Sequence, residues 1–417
     1  MMKKPKIAFV TPIYLPAKLS GSAFVIKNLA EELAQRGFNC SVITSNGLNT
    51  RFWYDPIFGK KINNTFEVIN RVKVYRLECK QLLSFLALVL VRFFKSLLPK
   101  TLFNKLELFY CGPNLAGLTK ILSCGKFNVI YSSPLPAYLN VAVIKACKKI
   151  IPRPKLILGA CFHDLLPDYH NPELVKFIKK FDLIHVFSNG EKEDIKKAFK
   201  ISENKFAVIP AFLRLQTMKK SDQIKDKVEN FKKKFNLKNK KIILFAGGKI
   251  EMKGIYNLLN VVGDLSQKDP SLVLITIGSN NIPRWKKIIQ EKKPAYLIDL
   301  GYVSEQQKEI IFSACDIYCM PSICESFGLS YLEAWQKEKP VIGANIPVVK
   351  QLINKASGGL LVEFGNEKQL KTAIQKLIKD PKLSRRLGKC GLRAVKSTYS
   401  SQKLIPKFET IFQSPEI

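Results

Sequence analysis

The chain of 417 residues is too long for one ordinary core, and a composition that is 47% hydrophobic and 24% charged belongs to packed domains, not to a low-complexity or repetitive chain. Its 68 Lys and Arg against 33 Asp and Glu give +35, a charge that suits anionic partners such as nucleic acid, an anionic membrane face or phosphorylated small molecules, or else simply fills solvated helix faces with lysine. Ten cysteines without a Cys-x-x-Cys spacing argue against a zinc site and fit a reducing compartment.

In chain order, the apolar run Ile7–Val10 is interrupted at Thr11-Pro12. That is too short for a signal-peptide core, so it reads as a first strand. Ala23, Ile26, Leu29, Ala30 and Leu33 then recur at helical spacing, Gly37 supplies a stop, and Ser41–Thr44 is the next strand, which completes one βαβ unit. The longest apolar stretch, Leu82 to Val91, falls short of the ~20 residues that span a bilayer, and no transmembrane helix is expected. Residues 82–106 combine Leu, Phe and Val with Arg92, Lys95, Lys100 and Lys105. Two readings stay open for this segment: a helix lying on an anionic membrane face, and a helix buried against the sheet.

Val129–Ser132, Leu156–Leu158 and Leu183–Phe187 continue the strands, with His185 as a satisfied core histidine and no role given to His170. A lysine-rich polar stretch at 211–238 reads as the join. A second series follows at Ile242–Ala246, Val273–Gly278, Ala295–Leu300, Ile317–Met320, Val341–Ile342 and Leu360–Val362. Strands alternating with helices mean parallel sheets covered on both faces. The expected architecture is α/β: two Rossmann-like doubly wound domains, 1–212 and 213–396, with a C-terminal helix at 397–417 that packs back on the first. Ligands in such sheets bind beyond the carboxyl ends of the strands, so two facing domains would make a cleft.

The most informative stretch is Pro321-Ser322-Ile323-Cys324-Glu325-Ser326-Phe327-Gly328-Leu329-Ser330-Tyr331-Leu332-Glu333-Ala334, after the strand Ile317–Met320. A helix starting near Ser326 would aim the amides of Phe327, Gly328 and Leu329 at an anion such as phosphate. Glu325 would accept hydrogen bonds from sugar hydroxyls, and Glu333, two turns on, from a ribose diol. Taken by itself, a Glu pair eight apart is a weak signal and reads more readily as a capping Glu and an exposed helix Glu.

The stretch resembles the Glu-x7-Glu signature of the family 4 retaining glycosyltransferases, Pro-Ser-x-x-Glu-x-Phe-Gly-Leu-x-x-Leu-Glu-Ala, and Lys339–Ile342 and Gly358–Val362 extend the resemblance. It implies a GT-B fold, a nucleotide-diphosphate sugar held by the C-terminal domain, an acceptor held by the N-terminal one, and transfer with retention. It implies no metal and no cofactor beyond the nucleotide sugar as co-substrate. Phe245–Gly254 resembles the family's Gly-Arg…Lys-Gly loop, which makes Lys249 and Lys253 the donor diphosphate ligands. Lys249 stands where Arg is usual, and the loop is about one residue shorter. Gly21 matches one glycine of the family's Gly-Gly loop, Ser20 or Ser22 replacing the other. His163, in Cys161-Phe162-His163-Asp164, matches a histidine that approaches the reacting sugar.

The resulting expectation is a cytoplasmic enzyme, peripheral at the inner face of the cell membrane if 82–106 is an interfacial helix, that builds a lipid-linked or envelope saccharide. A catalytically weak GT-B partner subunit and a non-transferase nucleotide-sugar enzyme, an epimerase or a phosphorylase, are the alternatives. No nucleic-acid-binding motif is present, and nucleic acid is not expected as a partner.

Overall fold

The computed structural model describes residues 4–55, 57, 59–214, 221–279, 282–292 and 294–414. The part of the expected join at 215–220 lies outside them. The chain forms two units, Met1–Ala211 with Gln402–Ile417, and Phe212–Ser401.

The first unit is built on β1 (Lys6–Val10), β2 (Asn39–Ser45), β3 (Phe66–Ile69), β4 (Val72–Leu77), β5 (Val129–Ser132), β6 (Lys155–Gly159), β7 (Leu183–Val186) and β8 (Phe206–Val208). Their order is β3-β4-β2-β1-β5-β6-β7-β8, parallel throughout except β3 against β4. Ile7 to Val10 are fully buried because β1 is covered on both faces, which is why it reads as an unbroken apolar run. The β3–β4 hairpin is an addition to the sequence reading. Asn70 and Arg71 turn it at φ 48° and 71°, the pair of positive values that a two-residue hairpin matching the strand twist requires.

The helix Gly21–Gln35 starts on Ser20, whose hydroxyl accepts from the Ala23 amide at 3.4 Å. The C-terminal helix Ser401–Gln413 brings Phe408 and Phe412 against His185, Phe9 and Tyr131 in the core of this unit.

The segment 82–106 is not one helix. Gln81–Phe93 and Lys100–Tyr110 are separate helices, divided ahead of Pro99, whose ring cannot continue a helix. The buried-helix reading fails for the first of them, because Leu82, Leu86, Leu90 and Phe93 are exposed.

The second unit is built on β9 (Lys241–Ala246), β10 (Leu272–Ile277), β11 (Leu297–Gly301), β12 (Ile317–Met320), β13 (Val341–Ala344) and β14 (Gly359–Val362), all parallel and ordered β11-β10-β9-β12-β13-β14. The order reverses between β9 and β12, as it does between β1 and β5 in the first unit. In doubly wound sheets that reversal leaves a crevice at the carboxyl ends, where ligands bind.

Candidate active-site loops

The loops at the second reversal are those after β9 and β12, which carry Lys249, Lys253 and Glu325. They are knitted together. Met252 O accepts from the Ile323 amide at 2.9 Å and from Ser322 Oγ at 3.2 Å. Gly254 sits at φ 71°, and a Cβ there would lie 2.4 Å from Pro321 O, so only glycine permits this approach.

Lys253 Nζ donates to Glu325 Oε1 and to Cys324 O, both at 2.6 Å. Both side chains are only partly exposed, which strengthens their attraction over that of a surface pair. The result is a cation and a carboxylate side by side at the strand ends.

The helix after this loop begins at Leu329, with Gly328 as its N-cap at φ 94°. That corrects the expected start near Ser326. The left-handed conformation at Gly328 stops helical geometry from extending back, so the amides of Leu329 and Ser330 open the first turn and those of Phe327 and Gly328 precede it. Phe327 is buried, its ring 5.9 Å from that of Tyr399. Tyr331 Oη donates to Met320 O at 2.5 Å and fixes the helix to the end of β12.

Glu333, one face further along, is bonded to Lys308 Nζ at 2.6 Å. Burial pushes its carboxyl up and Lys308 works against that. Sequence reasoning missed Lys308, which lies on the helix Glu305–Ala314. No local pattern pairs two helices so far apart in sequence.

Lys249 is placed differently from its neighbour. Its side chain is fully buried, Nζ donates to Gly278 O at 3.0 Å, and Asp299 Oδ1 lies 3.4 Å away. Burial pushes the ammonium down. Burial alone would raise Asp299, but the bonds from Trp285 Nε1 at 3.0 Å and Thr276 Oγ1 at 2.7 Å, with the Lys249 charge and the Gly301 amide, hold it below the usual carboxylate range. Lys249 thus ties the β9 loop to β10 and β11. Asp299 was also missed, because its strand reads as apolar.

In the first unit, Gly21 opens its helix exposed, and a Cβ there would meet no atom within 4 Å. His163 follows β6, partly exposed, with its ring 5.4 Å from Tyr169. The loop bearing it is held by Glu191, whose Oε1 accepts from the Phe162 amide at 2.7 Å and whose Oε2 accepts from the Phe187 amide at 2.6 Å. Ser188 caps the helix that carries Glu191. Full burial pushes the Glu191 carboxyl up to about 8. A Ser-x-x-Glu spacing was the available signal for this cap, although the Glu191 carboxylate turns to the Phe162 and Phe187 amides and not back to the Ser188 amide.

His185 is a core residue. Nε2 donates to Ile209 O at 2.7 Å, so Nδ1 accepts from Tyr131 Oη at 2.6 Å, and burial lowers its pKa to about 4. Among the described residues, no group of three or more His, Cys, Asp or Glu could hold a metal ion, and no helix is long and apolar enough to cross a membrane.

Residues 226–393 match the family described as Glycosyl transferases group 1, a span that includes Lys249, Lys253, Glu325 and Glu333. The chain is 25% identical over 177 residues, 42% of its length, to the capsular polysaccharide biosynthesis glycosyltransferase CapM of Staphylococcus aureus, covering 46% of that protein. An uncharacterised glycosyltransferase of Methanocaldococcus jannaschii is 24% identical over 90% of this chain and 89% of its own. The chain spans about half the length of most curated relatives it matches. Among solved structures, Anabaena HepE in complex with UDP and glucose superposes with a TM-score of 0.72 at 14% identity, over 99% of this chain and 100% of that one. Likeness at that identity shows the fold, which is GT-B: two parallel-sheet α/β units of eight and six strands.

Proposed function

We propose that the chain is a retaining glycosyltransferase of the family 4 kind, moving a sugar from a nucleotide-diphosphate donor to a hydroxyl of a lipid-linked or envelope saccharide. The observation that carries this reading is the Lys253–Glu325 pair at the reversal of the second sheet. The match of 226–393 to group 1 glycosyltransferases and the capsular polysaccharide relative support it. HepE, solved with UDP and glucose, supports a nucleotide sugar as donor.

Glu325 orients the donor sugar through its hydroxyls. Lys253 and the amides around Gly328 and Leu329 offset charge developing on the leaving diphosphate, a role that needs no metal ion and no further cofactor. Glu333 accepts from the ribose diol, and Lys308 opposes the upward push of burial on its carboxyl. The acceptor hydroxyl attacks from the face the diphosphate leaves, and the leaving oxygen takes its proton, so no side chain is assigned as base. His163 is assigned to a hydroxyl of the reacting sugar or acceptor. Lys249 enters as a brace of the loop, with Gly21 at the phosphate side of the first unit. The reaction is placed in the cytoplasm at the inner face of the cell membrane.

Burial of Lys249 favours a second reading, a GT-B partner subunit with weak chemistry. One experiment separates them: thermal melting of the purified chain against UDP-, GDP- and ADP-sugars, wild type beside Lys253→Ala and Glu333→Ala. A donor at a hundred times its dissociation constant stabilises by ~2.7 kcal/mol. A shift with one nucleotide class, lost in both variants, is the expected result. No shift with any donor favours the partner subunit, or an enzyme that binds its acceptor first, over the reading above.

A further inference from the structure

Of the paired helices Gln81–Phe93 and Lys100–Tyr110, the first inverts the usual pattern of a surface helix. On the first, the residues turned inward are small, Ser84, Ala87 and Val91, while the large ones point out: Leu82 is 65% exposed, Leu86 49% and Phe93 72%. The row continues past the helix end at Leu97, 77% exposed, and returns on the second helix at Leu102. An ordinary amphipathic helix buries its large apolar residues and exposes its polar ones. Nine of the chain's sixteen exposed large hydrophobics among the described residues fall within 82–102. Apolar surface gathered this densely marks a binding face.

The charge around it is one-sided. From Cys79 to Leu106 the sequence has Lys80, Arg92, Lys95, Lys100 and Lys105 and no Asp or Glu. Lys95 sits 5.7 Å above the Phe103 ring, so a cation from the connecting turn lies against the second helix. That helix is anchored to the body of the unit, because Asn171 Nδ2 donates to Asn104 O at 2.9 Å and to Glu107 Oε2 at 3.0 Å. The outward face is therefore presented by a fixed hairpin.

We infer that this helical hairpin is a monotopic anchor that lies in the interface of an anionic lipid bilayer. This deepens the membrane part of the function proposed above by naming the surface and its partner. A second copy of the chain is a poor occupant, since a two-fold contact would set one ring of cations against its twin. A bilayer carrying anionic headgroups takes the leucines and phenylalanines into its acyl boundary, to a depth of ~5–10 Å, while the lysines and Arg92 meet the phosphates. Neither helix is long enough to span.

The test is flotation of the full chain with vesicles of phosphatidylcholine alone and of phosphatidylcholine mixed with phosphatidylglycerol. Wild type is compared with Leu86→Glu/Phe93→Glu and with Lys95→Glu/Lys100→Glu, every altered residue being exposed. Wild type floats with the mixed vesicles and about tenfold less with phosphatidylcholine or at high salt. The apolar variant floats with neither. The charge-reversed variant floats about tenfold less with the mixed vesicles and, with phosphatidylcholine alone, matches wild type.

Failure of wild type to float overturns the inference, as does equal flotation of the apolar variant. So does a lipid-free dimer that Leu86→Glu/Phe93→Glu dissolves, which would assign the face to a second copy. Donor-induced melting shifts are read on the same variants and stay at the wild-type value. Their loss in all three proteins strikes the donor reading and leaves the vesicle result standing.

Discussion

In the second unit the loops after β9 and β12 meet through charged side chains, Lys253 on Glu325, with Lys308 on Glu333 one helix away. In the first unit the loop after β6 is held instead by two backbone amides on the buried Glu191, while beside it the neutral chain Tyr131, His185 and Ile209 spans β5 and β7. Both units share the reversed strand order that leaves a crevice at the strand ends. They differ in what reaches it. The second unit keeps partly exposed charges there, paired to one another, whereas in the first the buried Glu191 is consumed in holding backbone and His163 beside it stays partly exposed. A charged loop can grip an anionic donor, and a loop fixed by its backbone can present one side chain in a set place.

The contrast breaks most readily at Lys249, the buried charge that behaves like the first unit's groups although it lies in the second. Asp299→Asn leaves its ammonium buried without a counter-charge and should cost ~3 kcal/mol of stability, read as a lowered midpoint in urea unfolding. A loss below ~1 kcal/mol would mean that Lys249 reaches solvent and is free to act as a ligand.

Next in size is Gly254→Ala. Its Cβ would run into Pro321 O at a backbone angle alanine resists, at a cost of ~2 kcal/mol. Because the substitution spreads the two loops that Lys253 and Glu325 share, donor binding should weaken as well. Unchanged binding by calorimetry would show that the pair does not depend on this approach.

Lys253→Ala removes one charged hydrogen bond, worth ~1.5–3 kcal/mol, and should slow sugar transfer about tenfold to a hundredfold. His163→Ala should slow sugar transfer and, where its partner is the acceptor hydroxyl, leave the donor-induced melting shift unchanged. A lost shift would place His163 at the donor and end the division of labour.

The smallest effect sharpens the first unit. In the fold Glu191 keeps its proton up to about 8 rather than its ordinary 4.5, so the folded state binds more protons and stability falls as pH rises through that window. His185, lowered from 6.5 to about 4, acts in the opposite sense, and its contribution rises from pH 4 to 6.5 and is then flat. Between 6.5 and 8 Glu191 is the one of this pair that still titrates, with a slope of at most ~1.4 kcal/mol per pH unit. Urea midpoints across that range should decline in wild type and stay level in Glu191→Gln.

Much of this was legible along the chain, where runs and spacings report on neighbours. Ile7–Val10 announces a central strand because both its faces are covered, and Ser20 sits where a helix needs a cap. The stretch from Pro321 to Ala334 pointed to the β12 loop because strand, glycine and carboxylates are contiguous there. The start of the following helix was misplaced by three residues, since one positive φ at Gly328 ends helical geometry and no composition signal reports it. The β3–β4 hairpin was overlooked although Val72–Leu77 alternates.

What the sequence determined by itself was therefore the succession of strands and helices, the two parallel sheets, and which strand-to-helix loops carry Lys249, Lys253, Glu325 and His163. Those features depend on local periodicity and on burial of whole segments. Only the tertiary structure decided that Lys253 meets Glu325, that Lys249 turns inward to Asp299, that Lys308 holds Glu333, and that Leu82, Leu86, Phe93 and Leu97 face outward. Each depends on side chains brought together from distant elements, or on which side of a helix is covered, and chain packing alone sets that.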